Sequence, residues 1–358
     1  MGVTKEQLSA VTRTSEEPRV TLLSCRSKTA TMLWTKERSY SVLVVDSITL
    51  FTGLPANLLA LYTFIRKVKQ RATPLDVLLL SLNISDLLFL LFLPLRIKEA
   101  ADMKWTVSFF LCPLSGFIYF STIYNSTLLL TAISVERYLG VAFPIKYKLK
   151  RNPRYAVIAS IMFWVVSMSN CTIVYIVEYH KHSNDTVMEL SNRTSCYKEF
   201  TSEQLEILLP VRLELFIVLC CIPFFICCFC YIRFIIILSR LPSINPQKRS
   251  RAISLAIVTL LVFIICFVPF SVSHLVGFIG RYSPPWRVYT LLPSTFNACL
   301  DPFVFYFSSA AIRGTFTNII QKFHNWLQHS LCQKFNCLKT GRTSAYVERT
   351  QSSNDSSP

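Results

Sequence analysis

"LLPVRLELFIVLCCIPFFICCFCYI", residues 208–232, is almost wholly apolar but carries Arg212 and Glu214 near its start. About 20 such residues cross a bilayer as a helix, so the run reads as a membrane span. The arginine then demands a reason. Its guanidinium stays charged at any working pH. At the centre of a spanning helix it costs about 2.5–3.5 kcal/mol on insertion scales, so a cation there marks a functional site and needs a partner.

The whole chain has the same character. Its 358 residues are 52% hydrophobic and 16% charged, with a mean hydropathy of +0.43. That is too apolar and too charge-poor for a soluble domain. A net charge of +17 would fit nucleic acid only on the basic face of a soluble fold, and here the basic residues sit between apolar segments. No nucleic-acid partner is expected.

Seven stretches are long enough to span, at about 40–65, 75–96, 109–139, 155–178, 208–238, 252–279 and 286–307. The fold predicted is all-α, a seven-transmembrane helix bundle over 39–307, with tails over 1–38 and 326–358. With the N-terminus outside, the three inner loops hold thirteen Lys/Arg and the outer loops six, so the positive-inside rule favours an extracellular N-terminus and a cytoplasmic C-terminus. The seven Lys/Arg among the first 38 residues pull the other way. No apolar h-region precedes the first span, and "MGVTKE" lacks the Ser/Thr of a myristoylation site, so neither a cleaved signal peptide nor that lipid is expected.

Most of the thirteen cysteines fall inside spans, where a thiol packs as a small apolar group. Cys25, Cys112 and Cys196 are left on the outer side. Cys332 and Cys337, in a basic tail, are palmitoylation candidates or plain thiols. Of six Asn-x-Ser/Thr sequons, Asn83, Asn125 and Asn170 fall in spans and Asn354 in the inner tail, leaving Asn184 and Asn192 as glycosylation sites.

Polar residues at depth include Asn57, Asp86, Ser126, Asn297 and Asp301. Two buried carboxylates must share a cation, a proton or water. Asn297 and Asp301, four apart, lie on one helix face. Either a Na+ held by oxygens of Asp86, Ser126, Asn297 and Asp301, or a water network with one aspartate protonated, would satisfy them. No other metal or cofactor is expected.

The third span opens at Cys112 and closes in "AISVERYLGVAFPIKY" (132–147). Trp164 follows in the fourth, Pro223 and Tyr231 in the fifth, "CFVPF" (266–270) in the sixth and "DPFVFYF" (301–307) in the seventh. In this order the set resembles the rhodopsin-like (class A) G-protein-coupled receptors. "FTGLPANLLAL", "LCPLSGFIYFSTIY", "LLPVRLEL", "VSHLVGFI" and "PPWRVYTLLPSTFNACLDPF" are similar to the short-chain free fatty acid receptors numbered 2 and 3, with matches to the two interleaved.

The resemblance covers roughly residues 40–320 and implies a multi-pass plasma-membrane protein with a short amphipathic eighth helix over 308–325 and a Cys112–Cys196 disulfide. Its partners would be a heterotrimeric G protein of the inhibitory or phospholipase-coupled class, and arrestin. Glu136 and Arg137, followed by Tyr138, would form the inactive-state lock, and Tyr231, Phe267, Pro269, Asp301 and Pro302 would belong to the activation switch. Phe267 replaces the usual tryptophan, and Phe305 stands where a tyrosine is usual, with Tyr306 next.

For Arg212 the resemblance implies a ligand clamp. It lies 11 residues before Pro223, roughly 16 Å along the helix and in the outer third of the membrane. Phe267, Phe270 and His274 line one face of the sixth helix, Arg287 begins the seventh and Arg96 ends the second. Arg212 and Arg287 would hold an acetate, propionate or butyrate carboxylate with help from His274, beside Arg96, Phe120, Tyr124 and Phe270. The competing reading of Arg212 is a fixed salt bridge to Glu178, Glu199 or Glu214. Phe120 and Phe270 stand where receptor 2 has tyrosines, Asn170 where it has a histidine, and Lys198 where it has a glutamate.

Other small anions, namely hydroxycarboxylates, nucleotides and longer fatty acids, also suit an arginine-rich mouth. An anion transporter would want internal repeats, and eight glycines with no visible repeat argue against one. No His/Asp/Glu set is spaced for a metal or a catalytic triad, so no catalytic residue and no enzyme are expected.

Overall fold

The computed structural model describes residues 34–108, 110–150, 152–180, 196, 200–241, 244–308, 313–315, 317–318, 321–322, 324–325 and 328. Among them every regular element is a helix. The long ones are α1 (Lys36–Arg71), α2 (Pro74–Asp102), α3 (Leu111–Ala142), α4 (Pro153–Tyr179), α5 (Ser202–Ser239), α6 (Pro246–Gly280) and α7 (Arg287–Ser308). A short helix, Pro144–Lys150, follows α3.

Their starts are written in the sequence. Thr73-Pro74, Asn152-Pro153 and Asn245-Pro246 each place a capping side chain before a proline in the first turn, where the missing N–H is not needed. At α5, Thr201 and Gln204 form a reciprocal capping box. The helices outrun the apolar stretches at both ends, because Lys and Arg at their margins can snorkel to the interface.

Six of the seven are long and apolar enough to cross a membrane. The exception, α7, spends its polar residues inward: Ser294, Thr295, Asn297 and Asp301 are all buried. The same side chains that lower its hydropathy therefore face the bundle. At the centre stands α3, with 78% of its apolar window buried against 28% for α1. Contacts run α1–α2–α3, α3–α4, α3–α5, α5–α6, α6–α7 and back from α7 to α1, closing the ring.

Closure between α1 and α7 relies on Gly53, where a Cβ would stand 3.3 Å from the Ala298 carbonyl oxygen. One turn on, the Asn57 amide donates to that same carbonyl at 2.8 Å, and Asn83 donates to the Asn57 side-chain oxygen at 2.8 Å. Three helices are thus joined through one buried pair of amides. Below it Phe64 meets Phe305 edge to face. Outward-facing Phe51, Leu91, Phe225 and Ile279 are exposed, as a lipid-facing surface requires.

Arg313 donates to the carbonyls of Tyr306 and Phe307, so a cation satisfies the C-terminal end of α7. Much of 308–325, where an eighth helix is expected, lies outside the described residues, as do Cys25, Asn184, Asn192, Lys198, Glu199, Cys332 and Cys337.

Candidate ligand-binding site

The disulfide expected between Cys112 and Cys196 is present, with the two Cα atoms 5.6 Å apart. It ties the segment before α5 to the start of α3, over the end of the bundle where Arg96, Arg212 and Arg287 lie. In α5 the residues Ile217–Cys221 form a π turn. Such a turn adds one residue to the helical register. It lets Leu208 and Arg212 on one side, and Cys227 and Tyr231 on the other, all point inward.

Arg212 is 4% exposed and Arg287 6%. Both line two adjoining cavities. The larger reaches toward α1 and α2 past Trp34, Arg96, Glu99 and Tyr119. The smaller lies among Tyr124, Cys171, Ile173, Val174, Leu208, Leu215 and His274. Phe120 borders both.

Aromatic faces hold the guanidinium groups in place. Arg287 lies 4.8 Å over the Phe270 ring and 5.9 Å from that of Phe120, and those rings are stacked. Arg212 packs over Phe200 at 5.1 Å and donates to the Ser283 hydroxyl at 3.1 Å. Cation–π contacts of this kind are worth up to about 2 kcal/mol when water is excluded. Glu214, two residues after Arg212, is exposed and turned away from it, so the same-helix salt bridge does not form. His274 Nε2 meets the Tyr124 hydroxyl at 2.8 Å, while its Nδ1 is buried without a hydrogen-bond partner among the described residues.

Arg96 departs from the expected arrangement. It borders the larger cavity, but its Nε stands 3.0 Å from Oδ2 of Asp46 in α1, which is fully buried, and it lies 4.6 Å over the Tyr119 ring. Glu99 adds a further attraction. Arg96 is therefore matched by a carboxylate from its own chain. The sequence reading had not singled out Asp46, although a lone aspartate in "SVLVVDSITL" is as anomalous at depth as Arg212.

At the opposite end, Glu136 and Arg137 engage different partners. Glu136 accepts from the Tyr147 hydroxyl at 2.5 Å. Arg137 donates to Tyr231 at 3.4 Å and to Thr259 at 3.2 Å, linking α3 to α5 and α6. Tyr138 packs on Phe143 and Phe229. Phe267 is buried against Phe263, about two turns before His274 and two residues before Pro269.

Residues 56–305 match the family model described as "7 transmembrane receptor (rhodopsin family)". The chain belongs to the rhodopsin family of seven-transmembrane receptors. It is 50% identical to mouse free fatty acid receptor 2 over 267 residues, which is 74% of this chain and 80% of the relative. With mouse free fatty acid receptor 3 it shares 47% over 269 residues, 75% and 83% of the two chains. With human free fatty acid receptor 2 it shares 48% over 290 residues, 80% and 87%. The receptor is thus a multi-pass plasma-membrane protein that takes a small-molecule ligand and couples to G proteins, in a family of receptors and not of enzymes.

Between the receptor's two ends lies the polar set of α2, α3 and α7. Asp86, Ser126 and Asn297 border one small cavity with Phe267. The Asp86 and Asp301 carboxyl groups interact directly, and Asn297 donates to Asp301 at 2.7 Å. One oxygen each of Asp86, Asn297 and Asp301 is buried with no hydrogen-bond partner among the described residues. An all-oxygen set with open acceptors fits a hard monovalent cation, and equally a shared proton with water.

Proposed function

We propose that the receptor is switched on from the extracellular side by short-chain monocarboxylates of the acetate, propionate and butyrate class. The observation that carries this reading is the junction of the two cavities. Arg212 and Arg287 stand at the mouth of a small chamber whose far wall is Cys171, Ile173, Val174, Leu208 and Leu215. A carboxylate would sit between the guanidinium groups, with His274 Nδ1 as a further partner, and a short alkyl tail would enter the apolar chamber. The names of the relatives, free fatty acid receptors 2 and 3, point to a fatty acid carboxylate.

Size sets the affinity. At a ceiling of about 1.5 kcal/mol per heavy atom, the four atoms of acetate give about 6 kcal/mol, or roughly 40 µM at best. That suits a sensor of abundant metabolites. The bound anion would draw α5, α6 and α7 together at the disulfide end and shift the population toward an open inner face. There Arg137, with Tyr231 and Thr259, would meet a G protein of the inhibitory or phospholipase-coupled class, with arrestin as a further partner. The disulfide end is extracellular in this reading, Asn184 and Asn192 carry glycans, and Cys332 and Cys337 are open to palmitoylation. Asp86, Ser126, Asn297 and Asp301 would hold a Na+, whose charge would steady the closed bundle.

The test is G-protein activation by C2 to C6 carboxylates, comparing wild type with Arg212→Ala and Arg287→Ala at matched surface expression. Loss of response in each variant is expected. A wild type that ignores these acids but signals constitutively would retain the receptor fold and exclude the ligand, and hydroxycarboxylates, nucleotides and longer fatty acids would be tried next.

A further inference from the structure

The larger cavity runs from the Arg212–Arg287 clamp to a wall that carries a third arginine, Arg96. From Arg96 the side chains run in series. Its guanidinium covers Tyr119 at 4.6 Å, the Tyr119 and Phe120 rings are 5.3 Å apart, and Arg287 lies 5.9 Å from Phe120. A second anionic group on a longer ligand could reach Arg96 from the Arg212–Arg287 clamp along this wall. What stands in the way is charge, since Asp46 already occupies Arg96 at 3.0 Å.

We infer that Asp46 sets the valency of the ligand: by neutralising Arg96 it restricts the cavity to acids carrying one carboxylate. Asp46 is fully buried, while 16% of the Arg96 side chain is exposed. Arg96 thus borders the cavity, and the aspartate does not. A second carboxylate brought there would be stripped of water and placed near Asp46 and Glu99, with no unmatched cation to receive it. Asp46 acts through Arg96 and is a positioning residue. The inference rests on the monocarboxylate reading for the clamp end alone.

The experiment measures G-protein activation by α,ω-dicarboxylates of C4 to C8 and by their monomethyl esters, beside propionate. Wild type should favour each monoester over its diacid by about tenfold or more, the effect of one unmatched charged group. Asp46→Asn keeps the shape and removes the charge. At the chain length that spans the wall it should bring the diacid within about threefold of its monoester, with Glu99 limiting the gain. Asp46→Glu should restore the wild-type ratio, which a merely structural aspartate would leave unmoved. Equal wild-type response to diacid and monoester overturns the inference even if Asp46→Asn fails to reach the surface. So does an unmoved ratio in an Asp46→Asn receptor that reaches it. A receptor that ignores propionate and the monoesters, yet gains diacid responses in Asp46→Asn, would sink the short-chain reading and retain the role of Asp46.

Discussion

The Tyr124 hydroxyl on α3 lies 2.8 Å from His274 Nε2 on α6, and both residues are buried. This bond fixes the imidazole so that Nδ1 is its open nitrogen, in the chamber that Arg212 and Arg287 also border. Tyr124→Phe leaves Nε2 unmatched as well. A buried polar atom without a partner costs about 1–3 kcal/mol, and a freely turning ring is a poorer donor to a carboxylate. The variant should lose about tenfold in potency for propionate at matched surface expression. A concentration–response curve that overlays wild type would remove Tyr124 from the site.

The partners of Arg137 give a second expectation. In the structure Glu136 is held by Tyr147, and Arg137 reaches Tyr231 and Thr259. Without its hydroxyl, Tyr147→Phe frees Glu136 to pair with its neighbouring arginine, which competes with the reach to α5 and α6. Basal signalling should fall by about tenfold or more, the effect of one charge-assisted hydrogen bond of about 1.5–3 kcal/mol. Tyr231→Phe should lower the maximal response in the same direction. Higher basal activity in Tyr147→Phe would mean that the tyrosine restrains the receptor.

The seven spans and the motif residues were legible because each obeys a local rule: apolar length for a span, an isolated charge for a site. Arg212 announced itself in this way. The pairing of Arg96 with Asp46 did not, because "VVDSITL" and "LPLRIKEA" are 50 residues apart and only the packing of α1 on α2 joins them. The partition between Glu136 and Arg137 was hidden for a similar reason. The resemblance offered the lock between neighbours, whereas Tyr147 belongs to a short helix whose placement no periodicity fixes. The low hydropathy of α7 is a signal whose meaning appears only when its polar face is seen to be buried.

Sodium dependence tests the polar set of α2, α3 and α7. If a Na+ occupies it, replacing external sodium by a large organic cation should raise agonist potency, since the ion steadies the closed bundle. Asp86→Asn should abolish that dependence by deleting one of two carboxylates. Asp301→Asn should act alike, because the two groups interact directly. A wild-type potency indifferent to sodium, with Asp86→Asn still impairing signalling, would favour the shared-proton arrangement.

The disulfide allows a sharper test through non-additivity. Cys112 and Cys196 are separated by 84 residues, and closing a loop of that size is worth about 4–5 kcal/mol in the chain-entropy model. The bond also brings the Cys196 N–H to the Glu99 carboxylate at 3.3 Å, at the rim of the larger cavity. Cys112→Ser and Cys196→Ser should each lower thermal stability and surface expression strongly. The double variant should be no worse than either single one, because a bond can be lost only once. Additive losses would show that one of these cysteines has a role apart from the bond.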